Sequence, residues 1–163
     1  RELESASARI RNLQTTYERS LKSSKDLGFS QQKGKLPWPM EGRLATRFGK
    51  QKHPEFDTVV ERSGIEIMAR EGNAVRAVFN GTVIFADWFR GYGKMVIVDH
   101  GGKYYSIYAH ANKILVSKGA VVKKGQQIAE IGEMGSDGKG ETLYFEIRRG
   151  GSPEDPLNWL RTR

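Results

Sequence analysis

The stretch Gly91-Tyr-Gly-Lys-Met-Val-Ile-Val-Asp-His-Gly101, with residues 104–108 after it, decides the fold class. Its apolar run, 95–98, has glycines on both sides, which is the pattern of a short β-strand. Gly101-Gly102 then turns the chain into 104–108, a second candidate strand. Short strands joined by glycine turns indicate antiparallel β-structure.

The same pattern continues along most of the chain. Further candidate strands are 43–48, 65–69, 75–79, 82–85, 128–131 and 143–147. Asn80-Gly81 is typical of a hairpin turn between two of them. No second helix of convincing length is visible. We therefore predict a mainly β fold, an antiparallel sandwich or barrel of about 125 residues.

The N-terminal arm has a different pattern. Its apolar residues recur at spacings of 3, 4, 3 and 4, namely Leu3, Ala6, Ile10, Leu13 and Tyr17. This heptad seam predicts the end of a coiled-coil helix over residues 1–27, closed by Gly28. An isolated helix of this length is marginal in water, so the seam needs a partner. We expect a polar linker at 30–35, which divides the chain into parts 1–35 and 36–163.

The composition narrows the classes of protein. The chain has 163 residues, no cysteine, three histidines and a net charge of +8, of which each part carries +4. The lack of cysteine excludes disulfides, cysteine-ligated zinc and thiol catalysis, and apolar runs of about four residues exclude a membrane-spanning helix. The charge favours an acidic partner. Because the chain begins at Arg1, we expect an excised piece whose targeting signal is lost.

Six segments in order carry a specific resemblance. They are Gly72-Asn-Ala-Val-Arg-Ala77 leading into Asn80-Gly-Thr-Val83, then 91–101, Tyr105-Ser-Ile-Tyr-Ala-His110, Val122-Lys-Lys-Gly-Gln-Gln-Ile-Ala-Glu-Ile-Gly132, Leu143-Tyr-Phe-Glu-Ile-Arg148 and Pro156-Leu-Asn-Trp159. This order and spacing resembles the LytM, or M23, peptidase domain over residues 36–160. The resemblance implies an antiparallel β-domain of the LytM type.

The resemblance also implies a chemistry, because active M23 peptidases cut cell-wall peptides with zinc. Their zinc is held by a His-x-x-x-Asp motif and by the second His of a His-x-His motif. This chain has Arg62-Ser-Gly-Ile-Glu66 and Thr142-Leu-Tyr144 at those places. Arg62, Glu66 and Tyr144 therefore stand at the ligand positions, and Thr142 replaces an assisting histidine. His110 is the position that keeps its catalytic residue type.

The residue types at these positions argue against a metal. A catalytic zinc needs about three protein ligands and an open position for water. The Arg62 guanidinium cannot deprotonate, and neutral Tyr144 is a poor ligand because its pKa is near ~10. His53, in a loop, and His100, in a turn, are not expected to substitute. We predict no metal, no cofactor and no catalytic residue, and instead an Arg62–Glu66 ion pair with Tyr144 donating to Glu66.

A peptidase scaffold without its metal keeps its groove, which we expect to bind a protein. The expected lining is Arg62, Ser63, Glu66, Tyr92, His110, Thr142, Tyr144 and Arg148. Its mixture of aromatic side chains and arginines is enriched at protein-binding hot spots. On the last strand, Glu146 and Arg148 alternate and so share one face, whereas Phe145 and Ile147 face the core.

Three segments narrow the resemblance to a subgroup, namely Leu36-Pro-Trp-Pro39, Ala86-Asp-Trp-Phe-Arg-Gly-Tyr-Gly93 and Leu143-Tyr-Phe-Glu-Ile-Arg-Arg149. They are similar to degenerate LytM domains that follow a coiled coil, the EnvC-like murein hydrolase activators. The resemblance implies a periplasmic, non-catalytic activator of an N-acetylmuramoyl-L-alanine amidase in septal peptidoglycan splitting at cell division. Its groove captures the amidase's autoinhibitory helix, and its coiled coil joins an FtsE–FtsX-like membrane complex. Peptidoglycan is a further expected ligand.

Other classes stay open at this point. They are an active zinc endopeptidase, a peptidoglycan-binding module without an enzyme partner, and a biotinyl- or lipoyl-type domain. The last is favoured only by the segment 122–129, and it needs an exposed hairpin lysine that 130–133 does not offer. Nucleic-acid binding is not expected, because no motif accompanies the charge. The arm 1–27 is also a candidate cover for the groove.

Overall fold

The computed structural model of the chain describes residues 26–52, 55, 58–69, 73–132 and 141–162. Its strands are β1 Gly42–Thr46, β2 Gly49–Lys52, β3 Val59–Arg62, β4 Ile65–Ala69, β5 Ala74–Arg76, β6 Gly81–Phe89, β7 Gly93–Asp99, β8 Tyr104–Ala111, β9 Lys113–Ile114, β10 Val121–Val122, β11 Gln127–Glu130, β12 Thr142–Arg149 and β13 Ser152–Glu154. Two 3₁₀ helices, Phe29–Gln32 and Pro156–Asn158, flank them. The predicted mainly β fold class is confirmed.

The predicted coiled-coil helix falls almost entirely outside the described residues, since its first 25 positions are not among them. It therefore stays a prediction. In the ranges that are described, no helix combines the length and apolar character needed to cross a membrane.

One eight-stranded sheet with antiparallel pairing organises the domain. Its strands follow the order β1-β4-β12-β8-β7-β6-β10, and β13 pairs with β12 outside this path. A three-stranded sheet, β5-β11-β9, and the β2–β3 pair complete the strands. Because β12 lies between β4 and β8, Tyr144 is paired with Glu66 on one side and with Ala109 on the other. Residues far apart in sequence thus meet at the middle of the sheet.

The sheet is covered on both faces around β7, β8 and β12. Phe145 and Ile147 of β12 belong to the main apolar cluster, as predicted, and Leu143 joins them. The opposite face of β12, with Glu146 and Arg148, is buried as well. It adjoins a second cluster composed of Ile84, Tyr92, Met95, Ile97, Tyr105, Ile107 and Ala109. The apolar run of β7 is fully buried, as expected for a strand covered on both sides.

The glycine turns are confirmed at two of three predicted places. Residues 91–93 connect β6 to β7, and 101–102 connect β7 to β8. The predicted Asn80-Gly81 hairpin is wrong, because β5 belongs to the three-stranded sheet and β6 to the main sheet. The crossing between sheets still needs glycine, since a Cβ at Gly81 would lie 2.5 Å from the carbonyl oxygen of Asp99.

The segment before β1 packs on the domain. Phe29 is fully buried, and its ring stacks on His100 with the centroids 4.7 Å apart. Leu36 is also fully buried and forms a parallel bridge with Leu160. We expected residues 30–35 to be a linker, but they run between these two buried anchors. Within the described residues, the segment from Phe29 to Leu36 is therefore part of the packed structure.

Candidate functional site

The main sheet brings together four residues of the predicted site. Glu66 on β4 is the cross-strand partner of Tyr144 on β12. The ring of His110, on β8, lies beside Tyr144 with centroids 5.8 Å apart and planes inclined by 31°. Thr142 precedes Tyr144 by two residues and is half-buried on the same strand. Strand order alone therefore places residues 66, 110, 142 and 144 in one location.

The turn from β3 to β4 carries Arg62 and Ser63 to this location. Both residues are half-buried. Gly64, which follows them, packs so tightly on β12 that a Cβ would lie 2.4 Å from the Phe145 carbonyl oxygen and 3.0 Å from Tyr144 Cζ. Only glycine fits this approach. The turn, and Ser63 with it, is thereby held against Tyr144.

Arg62 and Glu66 form no ion pair with each other, although both are described, so that expectation is wrong. The Glu66 carboxylate instead accepts a hydrogen bond from the Thr46 hydroxyl, with Oγ1 3.0 Å from Oε1. Arg62 Nε is buried without a hydrogen-bond partner among the described residues. Tyr144 does not donate to Glu66 either, because its hydroxyl donates to Glu146, 2.6 Å away.

Glu146 is the centre of a buried network beneath the site. Its Oε2 accepts from the hydroxyls of Tyr144 and Tyr92, at 2.6 and 2.9 Å. Its Oε1 accepts from Arg148 Nε at 2.6 Å, and Arg148 Nη1 donates to the Gly151 carbonyl at 3.0 Å. Glu146 is 0% exposed and Arg148 1%. Charge-assisted bonds in such a dry place are strong and fix the Tyr144 phenol.

The protonation states in this network follow from burial and charge. Burial, helped by the charge of Glu146, raises the pKa of Tyr144 above the ordinary range of a phenol. Burial lowers the pKa of Arg148, but the adjacent Glu146 carboxylate more than offsets this, and the net pKa is raised. Tyr144 is therefore a neutral donor beside a permanent cation. A neutral phenol whose proton is bonded to a carboxylate is a poor metal ligand.

Tyr92 and Arg148 do not line a groove, and this part of the prediction needs correction. Each is 1% exposed. The physical reason is that Tyr92 belongs to the second apolar cluster, with Ile84 and Met95, while Arg148 is bonded to the buried Glu146. Glu146 and Arg148 share a face, as predicted, but that face is interior. We call the six remaining residues the site surface: Arg62, Ser63, Glu66, His110, Thr142 and Tyr144.

His110 occupies a β-bulge and is exposed. The β7–β8 register shifts next to it, so two residues of β8 oppose Met95. The backbone of His110 is left-handed, with φ 66°, and its N–H donates to the Tyr92 carbonyl at 2.9 Å. Such a backbone is uncommon outside glycine and clusters at functional sites. The bulge turns the imidazole toward Tyr144.

The described residues contain no group of three or more His, Cys, Asp or Glu side chains placed to hold a metal. In this part of the chain, the site surface supplies one carboxylate, Glu66, and one imidazole, His110. His53 lies outside the described residues. The described donor set thus falls short of the three ligands that a catalytic zinc needs.

His100 lies just after β7, fully buried and away from the site surface. Its Nδ1 is 2.7 Å from the Asn80 carbonyl oxygen, and its Nε2 is 2.7 Å from Ser106 Oγ. Because a carbonyl only accepts, Nδ1 carries the proton and Nε2 accepts from the serine. Burial lowers the pKa of His100 to about 4. A neutral imidazole with both nitrogens bonded has a structural role.

Two residues of the site were missed by the sequence analysis. Glu146 was predicted only to share a face with Arg148, yet it anchors Tyr144. The continuous apolar run of β7 was an available signal, since it is typical of a sheet covered on both faces. Thr46 reaches Glu66 through a register shift after Leu44. We find no sequence signal for that shift.

Comparison with known proteins shows which family this chain belongs to. Residues 60–156 match the model of peptidase family M23, and the chain belongs to this family. Csd3 of Helicobacter pylori is similar in structure, with a TM-score of 0.65 and 29% identity over 78% of this chain and 35% of that chain. A zinc containing peptidase from Vibrio cholerae has a TM-score of 0.64 and 28% identity over 78% and 40%.

Two curated relatives are named as activators. Murein hydrolase activator EnvC of Escherichia coli (strain K12) is 40% identical over 146 residues, which are 90% of this chain and 33% of the relative. Murein hydrolase activator NlpD of the same strain is 38% identical over 128 residues, 77% of this chain and 31% of the relative. The chain thus spans about a third of their length. The M23 fold accompanies both a zinc peptidase and named activators.

Proposed function

We propose that this chain is the non-catalytic M23-type part of a murein hydrolase activator, which binds and activates an N-acetylmuramoyl-L-alanine amidase. The observation that carries this is the hydrogen bond from Tyr144 to Glu146. Tyr144 stands where active M23 peptidases have a zinc ligand. Its hydrogen bond to Glu146 keeps the phenol neutral and directs its hydroxyl at a carboxylate. Arg62 adds a cation at a second ligand position. The names of the relatives EnvC and NlpD support the role of activator.

The site surface has features that suit a docking helix. Tyr144 is fixed by its hydrogen bond to Glu146 and lies beside the exposed imidazole of His110. A pre-fixed aromatic ring loses little entropy when a partner binds, and aromatic and arginine side chains dominate interface energetics. We propose helix-in-groove recognition of the amidase's autoinhibitory helix. Activation follows if the released form of the amidase binds more tightly than its closed form.

The wider setting is also a proposal. We propose that the protein works in the periplasm at septal splitting during cell division. A coiled coil formed by the arm 1–27 would join an FtsE–FtsX-like complex. Because the arm falls almost wholly outside the described residues, it enters here only through the heptad seam of the sequence.

Binding of purified amidase to the immobilised chain tests the proposal. His110→Asn and Glu66→Gln are suitable variants, because Asn tolerates a left-handed backbone and Gln still accepts from Thr46. We expect roughly tenfold weaker binding for each, the loss typical of a hot-spot residue. The exposed Lys118→Gln is the control and should bind like the wild type. Unchanged affinity for both site variants, or no binding by the wild type, would contradict the proposal.

The rival function is a zinc endopeptidase, which the structural similarity to the Vibrio cholerae enzyme favours. Zinc analysis of the purified chain separates the two. Stoichiometric zinc that is lost in Glu66→Gln, together with hydrolysis of cell-wall peptides, would establish the rival. We expect no stoichiometric zinc in either protein.

A further inference from the structure

A groove lies at the edge of the main sheet, between β1 and the segment that follows the second 3₁₀ helix. Its volume is about 460 Å³, which is within the range of small-ligand sites. Its walls include Trp38, Arg43, Leu44, Arg47, Leu157 and Arg161. None of these residues belongs to the site surface. We call this feature the edge groove.

The edge groove is cationic. Arg43, Arg47 and Arg161 are exposed, and no carboxylate is among the residues that line it. Within the described part of the chain, none of the three arginines forms an ion pair. Arg43 Nη2 makes one weak contact, 3.6 Å from Met68 Sδ. Three guanidinium groups around one cavity suit a ligand with several carboxylates or phosphates.

The groove also has a fixed apolar wall. Trp38 is half-buried, and its indole Nε1–H donates to the Arg161 carbonyl oxygen at 2.8 Å. Leu44 and Leu157 lie on the same cavity. A ring held in this way offers a rigid apolar surface, so the ligand should combine acidic groups with apolar carbon chains or sugar faces.

Charge argues against occupants from this chain itself. Residues 1–25 carry six basic and three acidic side chains, so the arm is cationic like the groove. A second copy brings a net charge of +8. Like charges at close range are unfavourable. The occupant is therefore an anionic molecule of another kind.

We propose that the edge groove binds the carboxylate-bearing stem peptides of peptidoglycan. Arg43, Arg47 and Arg161 pair with the carboxylates, and Trp38 packs against apolar parts of the strand. The choice of this anion rests on the proposed function, since the substrate of the activated amidase is peptidoglycan. Arg47 directly follows Thr46, which bonds to Glu66 of the site surface. A bound strand would thus lie next to a docked amidase.

Co-sedimentation with purified peptidoglycan sacculi tests this, using the triple variant Arg43→Gln, Arg47→Gln and Arg161→Gln. The matched control is Lys118→Gln, Lys123→Gln and Lys124→Gln, which removes equal charge near β10 at the opposite end of the sheet. We expect roughly tenfold weaker binding by the first triple variant. The control should bind like the wild type. Equal losses in both would show unspecific attraction and overturn the proposal.

Two further binding measurements test whether the ligand is a peptidoglycan carboxylate. Sacculi whose carboxyl groups are capped by carbodiimide coupling to ethanolamine should bind the wild type as weakly as the groove variant binds native sacculi. Unchanged binding of the wild type to capped sacculi would overturn the proposal. The proposal would also fail if phosphatidylglycerol vesicles or a polyglutamate peptide bound the wild type as tightly as native sacculi do and lost this binding in the groove variant. Sacculi binding is measured without amidase, and amidase binding without sacculi. Each proposal therefore fails on its own measurement.

Discussion

Arg148 Nε lies 2.6 Å from Glu146 Oε1, and neither side chain reaches solvent by more than 1%. The same carboxylate receives the hydroxyls of Tyr144 and Tyr92. The ion pair is therefore an internal support for a residue of the site surface, and of the four residues in this network only Tyr144 belongs to that surface. Disturbing the support and disturbing the surface should have separable effects.

Arg148→Met should lower the free energy of unfolding by about 3–5 kcal/mol, because it leaves Glu146 as an unpaired buried charge. Urea denaturation at pH 7 measures this. The exposed neighbour Arg149 is the control, and Arg149→Met should cost less than about 1 kcal/mol. Combining Arg148→Met with Glu146→Leu should recover much of the loss. Equal costs for the two arginines would show that the pair is not buried as described.

Tyr144→Phe and Tyr92→Phe form a matched pair of variants. Each removes one hydrogen bond to the same Glu146 oxygen and should cost about 1.5–3 kcal/mol of stability. Only Tyr144 belongs to the site surface, so only Tyr144→Phe should also weaken amidase binding. Urea denaturation and amidase titration give the two readouts. Equal weakening by Tyr92→Phe would mean that general destabilisation explains the effect.

His100 should make the domain acid-labile between pH 6.5 and pH 4. Its pKa falls from 6.5 in the unfolded chain to about 4 when buried. As the pH drops through this window, His100 takes up a proton in the unfolded chain but stays neutral in the folded chain. The free energy of unfolding therefore falls by about 3 kcal/mol between pH 7 and pH 4. Urea midpoints across this range measure the loss.

His100→Gln should remove this share of the pH dependence, because Gln does not titrate. Phe29→Leu, which weakens the packing on His100 but keeps the imidazole, is the control and should keep the wild-type slope. A wild-type slope in His100→Gln would assign the acid lability to other groups.

Gly64→Ala should destabilise the domain by about 1–3 kcal/mol, since its Cβ would meet the Phe145 carbonyl oxygen. Thermal unfolding measures the effect. Ser63→Ala, one residue earlier, creates no such contact and should stay within about 0.5 kcal/mol of the wild type. If Gly64→Ala changes the free energy of unfolding as little as Ser63→Ala does, then the β3–β4 turn is not in close contact with β12.

Local patterns predicted the strands well. The candidate strand 65–69 coincides with β4, and 143–147 lies inside β12. Alternation and glycine turns are properties of neighbouring residues, so a sequence displays them directly. The hairpin predicted at Asn80-Gly81 was wrong because this dipeptide can form a hairpin turn or a connection between two sheets. Which sheet each flanking strand joins is decided by distant strands.

The site was predictable in position but not in contacts. The motif resemblance located Glu66 and Tyr144, which are indeed cross-strand neighbours. Their hydrogen-bond partners, Thr46 and Glu146, depend on a register shift and on what covers the sheet. The edge groove was missed because its arginines come from β1, the β1–β2 turn and the C-terminal segment. No sequence window contains them together.

Dye release from labelled, purified peptidoglycan distinguishes an amidase activator from a peptidase in a single assay. The chain alone, the amidase alone and the two together are compared at equal concentrations. We expect no release by the chain alone and more release by the mixture than by the amidase alone. Release by the chain alone that requires zinc, or a mixture no more active than the amidase, would contradict this expectation.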